Sequence, residues 1–189
     1  CFFSVSLAFA LSLTFVVLGS PEETRIADAA MKGDVDAVYA LIRKAVDVNS
    51  AQGDGMTALH WAAYNGNVEL ARTLLYAGAN TKATTRLGGY TPLYMASKSG
   101  YSGVVDVMLK AGADPTARVI GGITPLMMAA SSGDARSVEL LTEAGADVDA
   151  TEIERGQTAL AFAAAFNRPE AIRALVRAGA EINKQSKEI

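Results

Sequence analysis

The side chains on which most metal and nucleophile chemistry depends are scarce in this chain. Its 189 residues include one Cys, one His and one Trp. Zinc sites and Cys–His dyads need several such side chains at defined spacings, so the sequence excludes both. The chain also lacks any run of Lys and Arg, and its formal net charge is −3. Because nucleic-acid binding usually requires a clustered basic surface, we expect no nucleic-acid partner.

Charge is also missing from the first 18 residues, which are mostly Phe, Leu, Val and Ala. Gly19, Ser20 and Pro21 separate this apolar run from the first charged residues. The pattern predicts a secretory signal peptide over residues 1–19, with cleavage after Gly19 and a mature N-terminus at Ser20. An uncleaved membrane anchor is the alternative, since 18 apolar residues reach the lower edge of a membrane-spanning length. Both alternatives predict an exported protein, periplasmic or secreted, that meets a membrane only through this segment.

A four-residue phrase that begins with Thr occurs four times, in successive copies 34, 33 and 34 residues apart. A fixed period of this length predicts a solenoid, whose long surface usually binds other molecules rather than catalysing a reaction. A weaker copy lies 33 residues before the first, which gives about five units over residues 22–184. The five copies begin at Thr24, Thr57, Thr91, Thr124 and Thr158.

Each unit carries the signals of two helices joined by a turn. Its Thr can cap the first helix, and Pro92 and Pro125 suit the first helical turn. A pair of small residues follows, then a turn residue that is Gly in four units and Asn167 in the fifth. Gly also follows the second helix in four units, but the first unit has Ala45 there, which we expect to reduce its stability. The polar residues between units predict a hairpin-like finger, one residue longer before the third and fifth units.

These motifs resemble the ankyrin repeat. The match rests on the Thr-Pro-Leu-His-like phrase, the Ala pair, the Gly before the second helix, and endings such as those at residues 74–79 and 147–150. The resemblance implies an all-α solenoid of stacked, antiparallel helix pairs with short fingers and a concave binding face. Residues 51–66 are also similar to exported bacterial ankyrin-repeat proteins. Because residues 181–184 already begin another finger, we expect residues 185–189 to start a truncated further repeat.

The resemblance implies that partner contacts come from the finger tips and the exposed ends of the first helices. In this register the candidate partner-binding residues are Asp54, Met56, Tyr64, Asn65, Leu87, Tyr90, Lys98, Ile120, Ile123, Arg155, Gln157 and Phe166. Among them we expect an apolar stripe along one face, because rigid aromatic side chains favour binding. The stripe consists of Met56, Tyr64, Tyr90, Ile123 and Phe166. The alternative is that Met56, Tyr90 and Ile123 only cover the neighbouring finger.

No residue pattern indicates a catalytic centre. The resemblance gives His60 a structural role, hydrogen-bonding between neighbouring turns, and we expect Trp61 to lie in the core between repeats. The Gly pairs at 88–89 and 121–122 lack the Lys and Ser or Thr of a phosphate loop and predict turns. Carboxylates such as Asp134, Glu139 and Glu143 are expected on solvated helix faces. We expect neither a metal nor a cofactor, and no enzymatic activity.

The sequence therefore favours an exported, non-catalytic module that binds a partner protein through its concave face. Two alternatives stay open: a regulatory or targeting segment of a larger protein, enzymatic or not, and a secreted effector that acts on host proteins. An enzyme built on the solenoid itself is disfavoured, because no nucleophile is accompanied by a base and no metal-ligand set is present.

Overall fold

The computed structural model describes residues 25–184 and confirms the expected all-α solenoid. These residues contain ten α-helices in five pairs, which we number as units one to five, and no strand. The helices are α1 (Arg25–Met31), α2 (Val35–Arg43), α3 (Ala58–Tyr64), α4 (Val68–Tyr76), α5 (Pro92–Ser99), α6 (Ser102–Lys110), α7 (Pro125–Ser132), α8 (Ala135–Glu143), α9 (Ala159–Ala165) and α10 (Pro169–Arg177), with one short 3-10 turn at Ile120–Gly122. The expected signal segment, Thr24 and the expected further repeat at 185–189 lie outside the described residues.

Threonine side chains begin the first helix of units two to five, as predicted. Each hydroxyl accepts the backbone N–H of the residue three positions later, at 3.1 to 3.4 Å. The capping residues are Thr57, Thr91, Thr124 and Thr158. Pro92 and Pro125 occupy the first helical position of α5 and α7, where a missing N–H costs nothing. The short first helices therefore have defined starts despite their seven or eight residues.

Left-handed backbone ends the helices of every unit. After α4 and α6, Gly78 and Gly112 have φ angles of 89° and 81°. Ala45 holds the same place after α2 with a φ of 56°, and Asn167 follows α9 with a φ of 53°. The prediction that Asn replaces Gly at a left-handed turn is confirmed. Unit one meets the same backbone requirement with a side chain that disfavours it.

Stacking of equivalent helices builds one continuous core. Helices α1, α3, α5, α7 and α9 contact one another in that order, and α4, α6, α8 and α10 do the same. Small pairs such as Ala62 with Ala63 are fully buried, which lets neighbouring first helices approach closely. On the second helices, Val105 and Met108 are fully buried as expected. Ile172 is only half-buried, because no helix pair covers unit five within the described residues.

Backbone hydrogen bonds close each finger and join it to the next. The Gln52 N–H donates to the Met56 carbonyl at 2.8 Å, and the Thr85 N–H donates to the Tyr90 carbonyl at 3.0 Å. The second pair encloses one more residue, so the extra residue predicted for that finger lies at its tip. Between fingers, N–H groups donate to carbonyls of the preceding tip: Arg86 to Asp54 at 2.8 Å, Ile120 to Gly88 at 3.1 Å and Ile153 to Gly121 at 2.8 Å. This ladder fixes the tips as one row.

Candidate partner-binding surface

The finger tips present large apolar side chains to solvent. Leu87 is 81% exposed, Ile120 75% and Ile153 67%, and successive members are 33 residues apart. We call these three residues the finger-tip row. Their backbones belong to the hydrogen-bonded ladder, so the side chains stand on a fixed platform. Exposed apolar side chains that recur at one place on successive units are typical of a binding surface.

Ile153 is the member of this row that the sequence interpretation missed. That interpretation placed the fifth finger's contacts at Arg155 and Gln157. The signal was available, because Ile153 follows Ile120 at the spacing by which Ile120 follows Leu87. A methyl group added to Gly122 would lie 2.9 Å from Ile153 Cγ1, so the Ile153 side chain rests against the preceding finger.

A buried carboxylate shapes the fifth finger and was also missed. Glu152 is 7% exposed, and its carboxylate accepts the backbone N–H groups of Glu154, Arg155 and Gln157 at 2.6, 2.7 and 2.9 Å. The Arg155 side chain remains exposed, whereas Gln157 is half-buried. In the second finger the exposed Asp54 has a similar duty, since its carboxylate accepts the Met56 N–H at 2.9 Å. Both acids hold the finger backbone and are therefore expected to contribute to a partner's binding through shape.

An aromatic pair marks the exposed end of α3. The Tyr64 ring is 55% exposed and meets the Trp61 ring edge to face, with centroids 5.8 Å apart. The Trp61 Nε1–H donates to Gln52 Oε1 at 2.8 Å, and Gln52 Nε2 donates to Asp28 in unit one at 2.5 Å. Trp61 is half-buried, so it lies at the border of the core rather than inside it as expected. The pair is thus anchored to both the second finger and the neighbouring unit.

His60 joins two units through its ring, as the resemblance implied. Its Nδ1 accepts the Thr57 N–H at 3.2 Å, and its Nε2 lies 2.9 Å from the Tyr90 carbonyl oxygen in the next unit. With Nδ1 accepting, the ring is neutral and Nε2 donates its proton to Tyr90. Burial lowers the pKa of His60 from its ordinary value, while the Tyr90 carbonyl and the Asp54 charge act in the opposite direction more weakly. The neutral ring is therefore part of the folded structure at pH 7.

Tyr90 covers its own finger as well as facing solvent. Its ring stacks on Tyr94 with centroids 4.8 Å apart, and a methyl group added to Gly88 would lie 2.4 Å from the ring carbon Cζ. Tyr90 and Ile123 are both half-buried. Burial raises the pKa of the neighbouring Tyr94 to about 12. For Tyr90 the covering role that was left open as an alternative is therefore present in the structure.

The expectation that Met56 contributes to an exposed stripe is wrong. Met56 is 6% exposed, because the third finger lies directly against the second at this point. A methyl group added to the adjacent Gly55 would lie 2.8 Å from the Arg86 nitrogen. The apolar stripe therefore has a gap at Met56, and its fully exposed ends are Tyr64 and Phe166, the latter 57% exposed.

The remaining candidates lie at the ends of first helices. Asn65 and Lys98 are exposed. Asn65 Nδ2 donates to the Ala30 carbonyl in unit one at 3.2 Å, so its side chain also links two units. Between Arg25 and Lys184, no three acidic, His or Cys side chains come together as a metal site would require. In the same range, every helix is too short or too polar to cross a bilayer.

Comparison with known proteins agrees with this architecture. A family model for ankyrin repeats matches residues 26–119 and 120–186 in three copies. The chain is similar to the palmitoyltransferase Hip14 of Drosophila melanogaster, 36% identical over 93 residues, which are 49% of this chain and 15% of that protein. It is similar to ankyrin repeat and SOCS box protein 3 of Bos taurus, 31% identical over 94 residues, 49% of this chain and 18% of that protein.

A smaller relative is protein phosphatase 1 regulatory subunit 27 of Mus musculus, 31% identical over 98 residues, which are 51% of this chain and 63% of that protein. The chain spans less than a fifth of the length of Hip14 and of ankyrin repeat and SOCS box protein 3. The family model covers most of the chain and both helices of each unit described above. The chain therefore belongs to the ankyrin-repeat family.

Proposed function

We propose that this chain is a non-catalytic module that binds a partner protein through the finger-tip row and the exposed ends of the first helices. The observation that carries the proposal is the finger-tip row itself. Leu87, Ile120 and Ile153 are each at least two-thirds exposed on fingers that hydrogen bonds hold in line. Large apolar side chains gain free energy when a partner removes them from water.

Rigidity supports the same proposal. The tips are joined by three backbone hydrogen bonds, and the Trp61–Tyr64 pair is tied to Gln52 and through it to unit one. A surface that is ordered before binding loses little conformational freedom when the partner arrives, so more of the contact energy appears as affinity. Aromatic anchors beside smaller apolar contacts are typical of interaction hot spots.

Aspartate substitutions in the finger-tip row test this proposal. The double variant Leu87→Asp with Ile120→Asp places two charges where we expect apolar contact, and should weaken the partner's affinity at least about tenfold. Tyr76→Asp is the matched control, because Tyr76 is 97% exposed on α4, away from the fingers. The partner is first captured with the unaltered chain, and its affinity for each variant is then measured by calorimetry. Equal affinities for the double variant and the control would overturn the proposal.

Export is the second part of the proposed function. Its support is the uncharged apolar run over residues 1–18, followed by Gly19 and Ser20. The exported form begins at Ser20, and a secreted effector that acts on host proteins is one form of this function. N-terminal sequencing of the protein from the extracytoplasmic fraction should read Ser20 first. A membrane fraction that retains Phe2 and Phe3 would show an anchor instead.

A segment of a larger protein is the alternative function that one observation favours. The aligned part covers 15% of Hip14 and 18% of ankyrin repeat and SOCS box protein 3, so these relatives contain much else. In that arrangement the five units recruit a partner or target on behalf of another domain. Sequencing the complete reading frame tests it: a further domain beyond Ile189 favours the alternative, and a stop soon after Ile189 excludes it.

A further inference from the structure

The face of unit five that points away from unit four is apolar and open. We call it the trailing face; it surrounds a groove of about 400 Å³ and includes Leu160, Ala161, Ala164, Ile172, Val176 and Ile182. Ala164 is exposed, whereas its counterparts Ala130 and Ser97 are fully buried by the following unit. Ile172 is half-buried, whereas its counterpart Val138 is fully buried. Unit five thus offers the same surface that units one to four already bury inside the chain.

The opposite end of the array carries the complementary surface. We call it the leading face; it lies on unit one around a groove of about 400 Å³, and includes Asp28, Ala29, Lys32, Ala37, Ala40 and Leu41. Ala37 is half-buried, whereas its counterparts Leu70, Val104 and Ser137 are fully buried against the preceding unit. The two ends are therefore the two halves of the interface that joins each unit to the next.

A polar contact of this interface is also available at the ends. Asn49 Oδ1 accepts the Asn80 N–H of the next unit at 2.7 Å, and Asp149 Oδ1 accepts the Glu181 N–H at 2.9 Å. Asn183 occupies the corresponding place in the last finger, and its amide oxygen can accept in the same way. The matching donor in unit one is the Asp47 N–H.

Charges at the two ends are partly complementary. Asp106 of α6 and Arg136 of α8 line one groove between units three and four. Their counterparts at the ends are Arg173 on the trailing face and Asp36 on the leading face, a pair of opposite charge with the signs exchanged. The Arg177–Glu139 ion pair at 3.0 Å has no such counterpart, since Arg43 and Arg173 have the same charge. A junction between copies is therefore weaker than the junctions inside the chain.

We propose that the trailing face of one copy binds the leading face of a second copy, so that two chains stack head to tail as if they were one longer array. The apolar positions, the Asn183 acceptor and the Arg173–Asp36 pair each continue the interface between units inside the chain. Because the two faces differ, the contact does not close on itself, and association continues beyond the dimer as concentration rises.

Two charged substitutions separate this arrangement from its alternatives. Ala164→Glu blocks the trailing face at an exposed position, and Ala37→Glu blocks the leading face near the start of α2. Tyr76→Glu, on the exposed side of α4, adds the same charge away from both faces. Circular dichroism establishes that each variant is folded. Sedimentation equilibrium over a wide concentration range then measures the molecular mass of each purified protein.

Head-to-tail stacking makes a distinctive prediction. The unaltered chain and Tyr76→Glu should gain mass with concentration, while Ala164→Glu and Ala37→Glu alone should each stay monomeric, with association weakened at least about tenfold. Mixing the two face variants should give a one-to-one dimer and nothing larger, because only one compatible junction remains. An unaltered chain that stays monomeric overturns the proposal. So does an Ala37→Glu variant that still dimerises, since that result would mean that two trailing faces pair.

Discussion

Ala45 is a position at which one substitution should stabilise the array. Its φ of 56° lies in the left-handed region, which costs a residue with a Cβ about 1–2 kcal/mol. Its side chain is exposed, so Ala45→Gly removes little packing. Glycine gives back about 0.4–1 kcal/mol, because it frees the unfolded chain. The difference predicts a gain of about 0.5–1 kcal/mol in the free energy of unfolding.

Gly112→Ala is the matched reverse experiment. Gly112 follows α6 as Ala45 follows α2, with a φ of 81° and no heavy atom within 4 Å of an added Cβ. Only the backbone can oppose this methyl group, so the variant should lose about 0.5–1 kcal/mol. Urea denaturation followed by circular dichroism measures both changes from the shift of the midpoint. If Gly112→Ala loses stability while Ala45→Gly gains none, α2 does not need a left-handed residue at its end and the reasoning about unit one is refuted.

The remaining predictions concern His60, the aromatic surface and the core. Because burial lowers the pKa of His60 below its ordinary value of 6.5, the folded state favours the neutral ring; stability should be fully present above that pH and decline as pH falls below it, and His60→Gln should remove this part of the pH dependence in urea denaturation. The test is sharp because the chain has no other His, and a decline that persists in His60→Gln would assign it elsewhere. Tyr64→Ala and Tyr90→Ala should each weaken partner binding by about 1 kcal/mol or more. Tyr64→Ala should leave the melting temperature nearly unchanged, whereas Tyr90→Ala should also lower it because its ring covers Gly88. Val105→Ala, at a fully buried position, should cost about 1–3 kcal/mol of stability and alter affinity only through folding. Equal losses of stability in Tyr64→Ala and Val105→Ala would make Tyr64 ordinary packing.

The features predicted correctly from the sequence are those that one unit determines locally. A threonine cap, a proline in the first helical turn and a left-handed Asn167 each depend on a few neighbouring residues, and each is present. Their recurrence at a fixed period then requires stacking, so the solenoid followed from the spacing of the Thr phrases.

Features that depend on contact between units were harder to predict. Met56 lies in a finger like its exposed neighbours, and only the overlap of the third finger on Gly55 buries it. Ile153 was overlooked because the fifth finger is longer, and the extra residue moved attention to Arg155 and Gln157. Trp61 is held at the border of the core by a hydrogen bond to Gln52, nine residues earlier, which no local motif indicates.

The central claim is that a partner covers the surface formed by the fingers and first-helix ends. Trp61 is the only Trp in the chain and contacts both Gln52 of the second finger and Tyr64 of α3, so it reports on this surface alone. The most direct measurement replaces it biosynthetically with 5-fluorotryptophan and follows its single fluorine NMR resonance while the unlabelled partner is added. The account predicts that the resonance shifts or broadens progressively and saturates with the binding isotherm. A resonance that stays unchanged when the partner is saturating would contradict it and assign binding to another face of the solenoid.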